Sequence, residues 1–202
     1  KGFMPLSLLT KLMIYIVVVG FTPGPANVYA MTCALRHNRR HAMGMWWGLL
    51  LGFCIAVTAV ALASHWLGTA IGHYVTYLKY PGAAYILWLA WLIFRSSGDS
   101  SVSDNIRHRE CSFVSGMVMQ LTNAKMILFD FTAFGTFVLP YSNRLVDLFV
   151  VAALLLIAGP GANLVWLVLG LWLKPFFEHH KRTVIIVMAG ALVACAIAIL
   201  LT

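Results

Sequence analysis

The sequence predicts an all-α membrane protein of six transmembrane helices, and three observations carry that expectation. Of 202 residues, 61% are hydrophobic and 10% charged, and the mean hydropathy is +0.88, far outside the balance of a soluble domain. Uncharged stretches run over 12–35, 42–64, 80–94, 148–173 and 183–202, and an apolar run at 111–140 is interrupted only by Lys125 and Asp130. A helix crosses the hydrocarbon core with roughly 20 apolar residues, so these runs fill the chain with short connections between them. One bundle over 1–202 is the expected domain.

The first run opens the bundle. It is too long for a signal peptide, lacks a small-residue cleavage site and is followed by further spans, so it is expected to be retained, with Met4 as the initiator. Its centre reads "GFTPGPANVYAM", residues 20 to 31. Proline removes a backbone donor and clashes with the preceding turn, while glycine tolerates non-helical dihedrals, so Thr22, Pro23, Gly24 and Pro25 should divide the span into two half-helices. Free peptide groups are tolerated at membrane depth only where protein or a water-filled cavity covers them, so the break marks an internal site.

The second run carries "GLLLG", residues 48 to 52, which puts small residues four apart on one helix face, a pattern for close helix packing that also leaves a homodimer open. The third reaches back toward His73 if Lys79 snorkels to the interface. After it comes "RSSGDSSVSDNIRHRE", residues 95 to 110, rich in Ser, Gly and Asp. The loop at 96–110 divides the chain into halves 1–95 and 111–202 of three helices each. An odd number of spans per half forces the halves into opposite orientations, the arrangement of an inverted repeat.

The fourth run holds Thr122, Asn123, Lys125 and Asp130; the fifth has "GPGAN", Gly159, Pro160, Gly161 and Asn163, which echoes "PGPAN" at 23. Both anomalies fall near the run centres, so helices one, four and five should all be interrupted near the midplane. A charge there costs about 2.5 to 3.5 kcal/mol on insertion scales, and something must offset it for Lys125. Lys125 could meet a substrate carboxylate, lose its proton during a cycle, or pair with Asp130. Five residues of regular helix set Lys125 and Asp130 about 140° apart, which makes direct pairing awkward. The sixth run completes the bundle.

Nine Lys and Arg lie in the loops after helices one, three and five (Arg36, Arg39 and Arg40; Arg95, Arg107 and Arg109; Lys174, Lys181 and Arg182), against Lys1, Lys11, Lys79 and Arg144 on the other side. This bias puts those loops in the cytoplasm and both termini in the periplasm. The net charge of +8 thus belongs to short loops beside lipid headgroups and does not call for a nucleic-acid partner. Cys33, Cys54 and Cys195 lie inside apolar runs and Cys111 in a polar loop, with no CxxC spacing, so they read as packing thiols rather than a disulfide framework or zinc site. His37 and His41 stand four apart without an acidic partner and read as part of a basic loop; no metal or other cofactor is called for. No hydrolase or nucleotide-binding motif appears.

The combination of "FTPGPAN", "RHNRRHAMGMWWGLLLG" and "QLTNAK" resembles the LysE/RhtB family of bacterial amino-acid exporters over nearly the whole chain. The TPGPxN motif is its most specific part, and "AAYILWLAWLI" and "TFVLP" look closest to the cysteine and O-acetylserine exporter branch. The resemblance implies a six-helix inner-membrane exporter of small amino acids or their derivatives, driven by proton antiport. The family's Asn-Pro-Lys appears as Asn123-Ala124-Lys125, with Asn and Lys kept and Pro lost. The expected substrate site is Thr22 to Pro25, Asn27, Asn123, Lys125, Gly159 to Gly161 and Asn163, with Asp130 as a proton-coupling candidate. The half-helix from Pro25 would offer its positive dipole end to a carboxylate, and the one ending near Phe21 its carbonyls to an ammonium. A passive channel for small polar solutes is the alternative, followed by a membrane scaffold or enzyme.

Overall fold

The computed structural model describes residues 6–67, 111–201 and several positions of a helical stretch between 80 and 94. The expected loop at 96–110, the start of the third span with Lys79, and residues 1–3 lie outside the described residues. Among the described residues every regular segment is helical.

The first run folds as α1 (Leu6–Phe21) and α2 (Pro25–Arg36), bent by 45° across the break. α1 is apolar on every side and buries only the stripe that includes Leu12 and Ile16, four apart, while Ile14, Val17 and Val18 face outward. α2 is built largely of small residues and is buried almost all round. The 29-residue α3 (Arg39–Leu67) is long and apolar enough to cross a membrane, as is Leu145–Leu173. The bent α1–α2 pair makes a third such span if counted as one.

The fourth run is α4 (Phe113–Leu121), α5 (Ala124–Thr132) and a π-helical turn over Ala133–Val138. Ser112 starts α4 with a reciprocal cap: its hydroxyl accepts from the Ser115 N–H at 3.2 Å, and the Ser115 hydroxyl accepts from the Ser112 N–H at 3.0 Å. α3 and α4 are in backbone contact. A Cβ on Gly48 would run into the Phe113 carbonyl, one on Gly116 into the Met45 carbonyl, and one on Gly52 would lie 2.8 Å from the Met117 carbonyl. The "GLLLG" face is therefore used inside the chain, against α4.

Three sequence expectations are corrected. α6 runs from Leu145 to Leu201 with helical backbone through Gly159, Pro160 and Gly161, so the fifth helix is not interrupted there. A single proline in a membrane helix removes one N–H and frees only the carbonyl four residues earlier, which the helix tolerates; the Pro160 carbonyl itself also accepts from the Trp46 indole N–H at 2.9 Å. Next, the basic stretch from Lys174 is helical up to His180, the one residue of α6 with non-helical backbone (φ −125°, ψ 34°). The connection between the last two apolar segments is thus a kink rather than a loop. Finally, Cys33 and Cys111 are disulfide-bonded, with Cα atoms 5.9 Å apart, and both are buried; Cys54 and Cys195 are free.

Among the described residues three apolar cores hold the helices together, the smallest joining Val28 of α2 to Ala83, Ile86 and Ala90 and to Leu192, Cys195 and Ala196 near the end of α6. Of the larger two, one joins α1, α5 and the first part of α6 through residues such as Leu12, Phe129, Phe134 and Leu155, along with Phe53 of α3. The other joins α2, α4 and the N-terminal part of α3 through Ala30, Ala34, Met45 and Leu49, along with Leu167 of α6. Both helix breaks lie where α1 and α5, of the first core, meet α2 and α4, of the second.

Candidate functional site

At the first break the chain leaves α1 with Thr22 turning back on it, its hydroxyl donating to the Val19 carbonyl at 2.7 Å and the Val18 carbonyl at 3.1 Å. Pro25 takes the first position of α2, where a missing N–H costs nothing, and Gly24 is extended (φ −159°, ψ 173°). Any residue adopts that conformation; the need for glycine comes from contact. The Lys125 side chain lies on its Cα, so that a Cβ would sit 2.6 Å from Lys125 Cδ and 3.1 Å from Nζ.

Lys125 is 4% exposed and its ammonium donates to the Thr22 carbonyl at 2.7 Å and the Thr22 hydroxyl at 3.2 Å. The carbonyl end of α1 carries partial negative charge, so the lysine offsets its burial by capping a helix dipole across the bundle. Asn27 Nδ2 donates to the Gly20 and Thr22 carbonyls, both at 3.0 Å, and the Trp166 indole N–H to the Phe21 carbonyl at 3.2 Å. Donors from α2, α5 and α6 thus cover the last three carbonyls exposed by the break. The carbonyls expected to take a solute's ammonium already hold one from the protein.

The second break lies at Thr122 and Asn123. Thr122 repeats the Thr22 geometry, its hydroxyl donating to the Val118 carbonyl at 2.8 Å, and Asn123 precedes α5 with φ −76° and ψ 90°. Among the described residues, buried polar atoms stand without hydrogen-bond partners at or beside the breaks in Asn27 (Oδ1), Asn123 (Oδ1) and Gln120 (both amide atoms), and in α6, one turn before Trp166, in both amide atoms of Asn163. Each orphaned buried group costs about 1 to 3 kcal/mol, a penalty that a bound polar ligand would relieve.

The structure brings Thr22, Gly24, Asn27 and Lys125 into direct contact, with Pro23 and Pro25 framing them and Asn123 two residues from the lysine. The fifth-helix residues divide. Asn163 adds an unsatisfied amide, and Trp166 one turn on ties this stretch of α6 to the break. Gly159 instead makes room for the Phe53 ring, 2.8 Å from where a Cβ would be, and a Cβ on Gly161 would meet nothing within 4 Å. Asp130 does not pair with Lys125; its two carboxylate oxygens are buried with no partner. Gln120, 0% exposed, was missed by the sequence reading. Its signal was an amide inside an apolar run, one turn before Asn123.

Residues 17–202 match the family described as LysE type translocator. The cysteine/O-acetylserine efflux protein of Escherichia coli (strain K12) is 34% identical over 193 residues, 96% of this chain and 97% of that protein. The protein of the same name from Salmonella choleraesuis (strain SC-B67) is 33% identical over 192 residues, 95% and 97% of the two chains. No solved structure matches. The matched span takes in both helix breaks, Lys125 and Asn163, so the candidate site lies within the matched residues, and the chain is a transporter rather than an enzyme. It belongs to the LysE-type translocator family.

Proposed function

We propose that this protein exports a small neutral amino acid or derivative, of the cysteine or O-acetylserine kind, across the bacterial inner membrane. The observation that carries the reading is the Lys125 ammonium seated on the Thr22 carbonyl, with the buried amide oxygens of Asn27 and Asn123 close by in the chain and unpartnered among the described residues. A zwitterion brings one ammonium and one carboxylate. On arrival its ammonium takes the place of the Lys125 ammonium on the α1 carbonyls, and the released lysine pairs with its carboxylate. The amides of Asn123, Asn163 and Asn27 hydrogen-bond the solute, and no net charge is added to the hydrocarbon interior.

Transport then proceeds by alternating access between two inverted three-helix halves, with both termini in the periplasm. The repetition of a broken helix with a back-bonded threonine, at Thr22 and again at Thr122, supports that symmetry. Asp130 is the proton carrier of the antiport, an assignment supported by a buried carboxylate with no hydrogen-bond partner among the described residues.

The test uses proteoliposomes with an imposed pH gradient and labelled cysteine or O-acetylserine. Accumulation above the equilibrium level is expected, and Lys125→Ala should abolish it while the protein still inserts. Equilibration without accumulation would make the protein a passive channel, and full activity of Lys125→Ala would remove the site.

A further inference from the structure

We propose that Cys33, His37 and Cys111, once the disulfide is reduced, form a binding site for a thiophilic divalent metal ion of the zinc class. Cys33 and His37 are four apart at the end of α2, and Cys111 sits just before the Ser112 cap of α4. One ligand atom from each residue lies within 4.8 Å of the other two, although Cys33 and Cys111 are 78 residues apart in sequence. The backbone holds them there: the His37 N–H donates to the Cys33 carbonyl at 2.9 Å, and the Cys33 and Cys111 Cα atoms are 5.9 Å apart. His41 stands outside the group, its Nδ1 2.7 Å from Asn38 Oδ1.

The donor set selects the ion. Two thiolates and a neutral imidazole suit a soft d¹⁰ metal in tetrahedral geometry, with the fourth position left to water. A divalent ion with two thiolates is also neutral overall, which suits cysteines that are 3% exposed; a monovalent ion would leave a buried negative charge. Arg36, Arg39 and Arg40 adjoin the cluster in sequence, and the positive-inside bias gives that side to the reducing cytoplasm. There a dithiol supplies two electrons and two protons to the Cys33–Cys111 bond, becoming a disulfide itself and leaving two thiols. Metal binding then releases both thiol protons to water. Disulfide and metal bridge are mutually exclusive links between the same two helix ends, α2 of the first half and α4 of the second.

The full chain in detergent, reduced with a dithiol and freed of it without air, is titrated with Cd²⁺ while thiolate-to-metal absorption is followed, and Zn²⁺ is used to displace it. One Cd²⁺ per chain is expected for the reduced protein and none for the oxidised. Cys33→Ser or Cys111→Ser should weaken binding by about 100-fold or more, and His37→Ala by about tenfold or more, at least the cost of losing a supporting residue. Cys54→Ser with Cys195→Ser should leave it unchanged. No binding by the reduced chain, binding that survives Cys33→Ser, or indifference to His37→Ala would each overturn the proposal. Because His37→Ala keeps both thiols, it remains informative if a serine variant fails to fold.

Discussion

Residues 22–27 read TPGPAN and residues 158–163 read AGPGAN, nearly the same letters with proline and glycine exchanged, yet the first opens the helix and the second does not. Proline disfavours helical dihedrals in the residue before it as well as removing its own N–H. In the first stretch Pro23 acts on Thr22 and Pro25 on Gly24, so two alternate residues are pushed out of the helix together. In the second only Pro160 acts, on Gly159, and one lost N–H is absorbed. Thr122 and Asn123 complete the lesson from the other side, because the chain breaks there with no proline at all. A back-bonding threonine and an asparagine compete with the helix for backbone partners. Which residues they are, and how many prolines act in succession, decides the outcome more than the total of helix-breaking letters.

Substitutions at the glycines should separate the two stretches most strongly. Gly24→Ala sets a Cβ against Lys125 and displaces the ammonium, so export should fall by about 100-fold, the loss that misplacing a reacting group by about 1 Å brings. Gly161→Ala meets open space and should leave export intact while adding about 0.5 to 1 kcal/mol of stability, read as the thermal midpoint in detergent. The asparagines come next. Asn27→Ala uncovers the Gly20 carbonyl and should destabilise by about 1 to 3 kcal/mol. Asn163→Ala removes an amide with no partner, so its expected effect is on apparent substrate affinity and not on the thermal midpoint. Equal destabilisation by both would mean that Asn163 serves packing alone. The smallest effect belongs to Trp46→Phe, which keeps the ring and loses one hydrogen bond to Pro160, about 0.5 to 1.5 kcal/mol; helix interruption at residue 160 in that variant would show that the indole holds the turn closed.

Much of the candidate site was legible because membrane burial makes certain residues conspicuous. Lys125 and the PGP stretch are costly inside hydrocarbon, and their position in the sequence was enough to mark the first break and a candidate site beside it. The partner of Lys125 was not legible, because a long side chain chooses among acceptors by the packing of other helices, and here it reached α1 rather than Asp130. Gly48 and Gly52 announced close packing, while the identity of α4 as the neighbour needed the fold. The Cys33–Cys111 bond left no trace in spacing, since only tertiary structure brings those two positions together. The continuity of α6 through Pro160 and up to His180 was lost in the same way: local propensity argued for interruption, and the surrounding helices overruled it.

The seam between α3 and α4, where glycines let one backbone rest on another, has a bearing on how the protein moves. If the two helices slid past each other, carbonyl oxygens would be driven into the opposing chain. Under the proposed rocking motion that line would serve as a fulcrum, with α3 and α4 moving as a single beam. In the proposed cycle any stroke would have to come from other joints, and the first helix, already parted at its middle and bent by 45°, offers one.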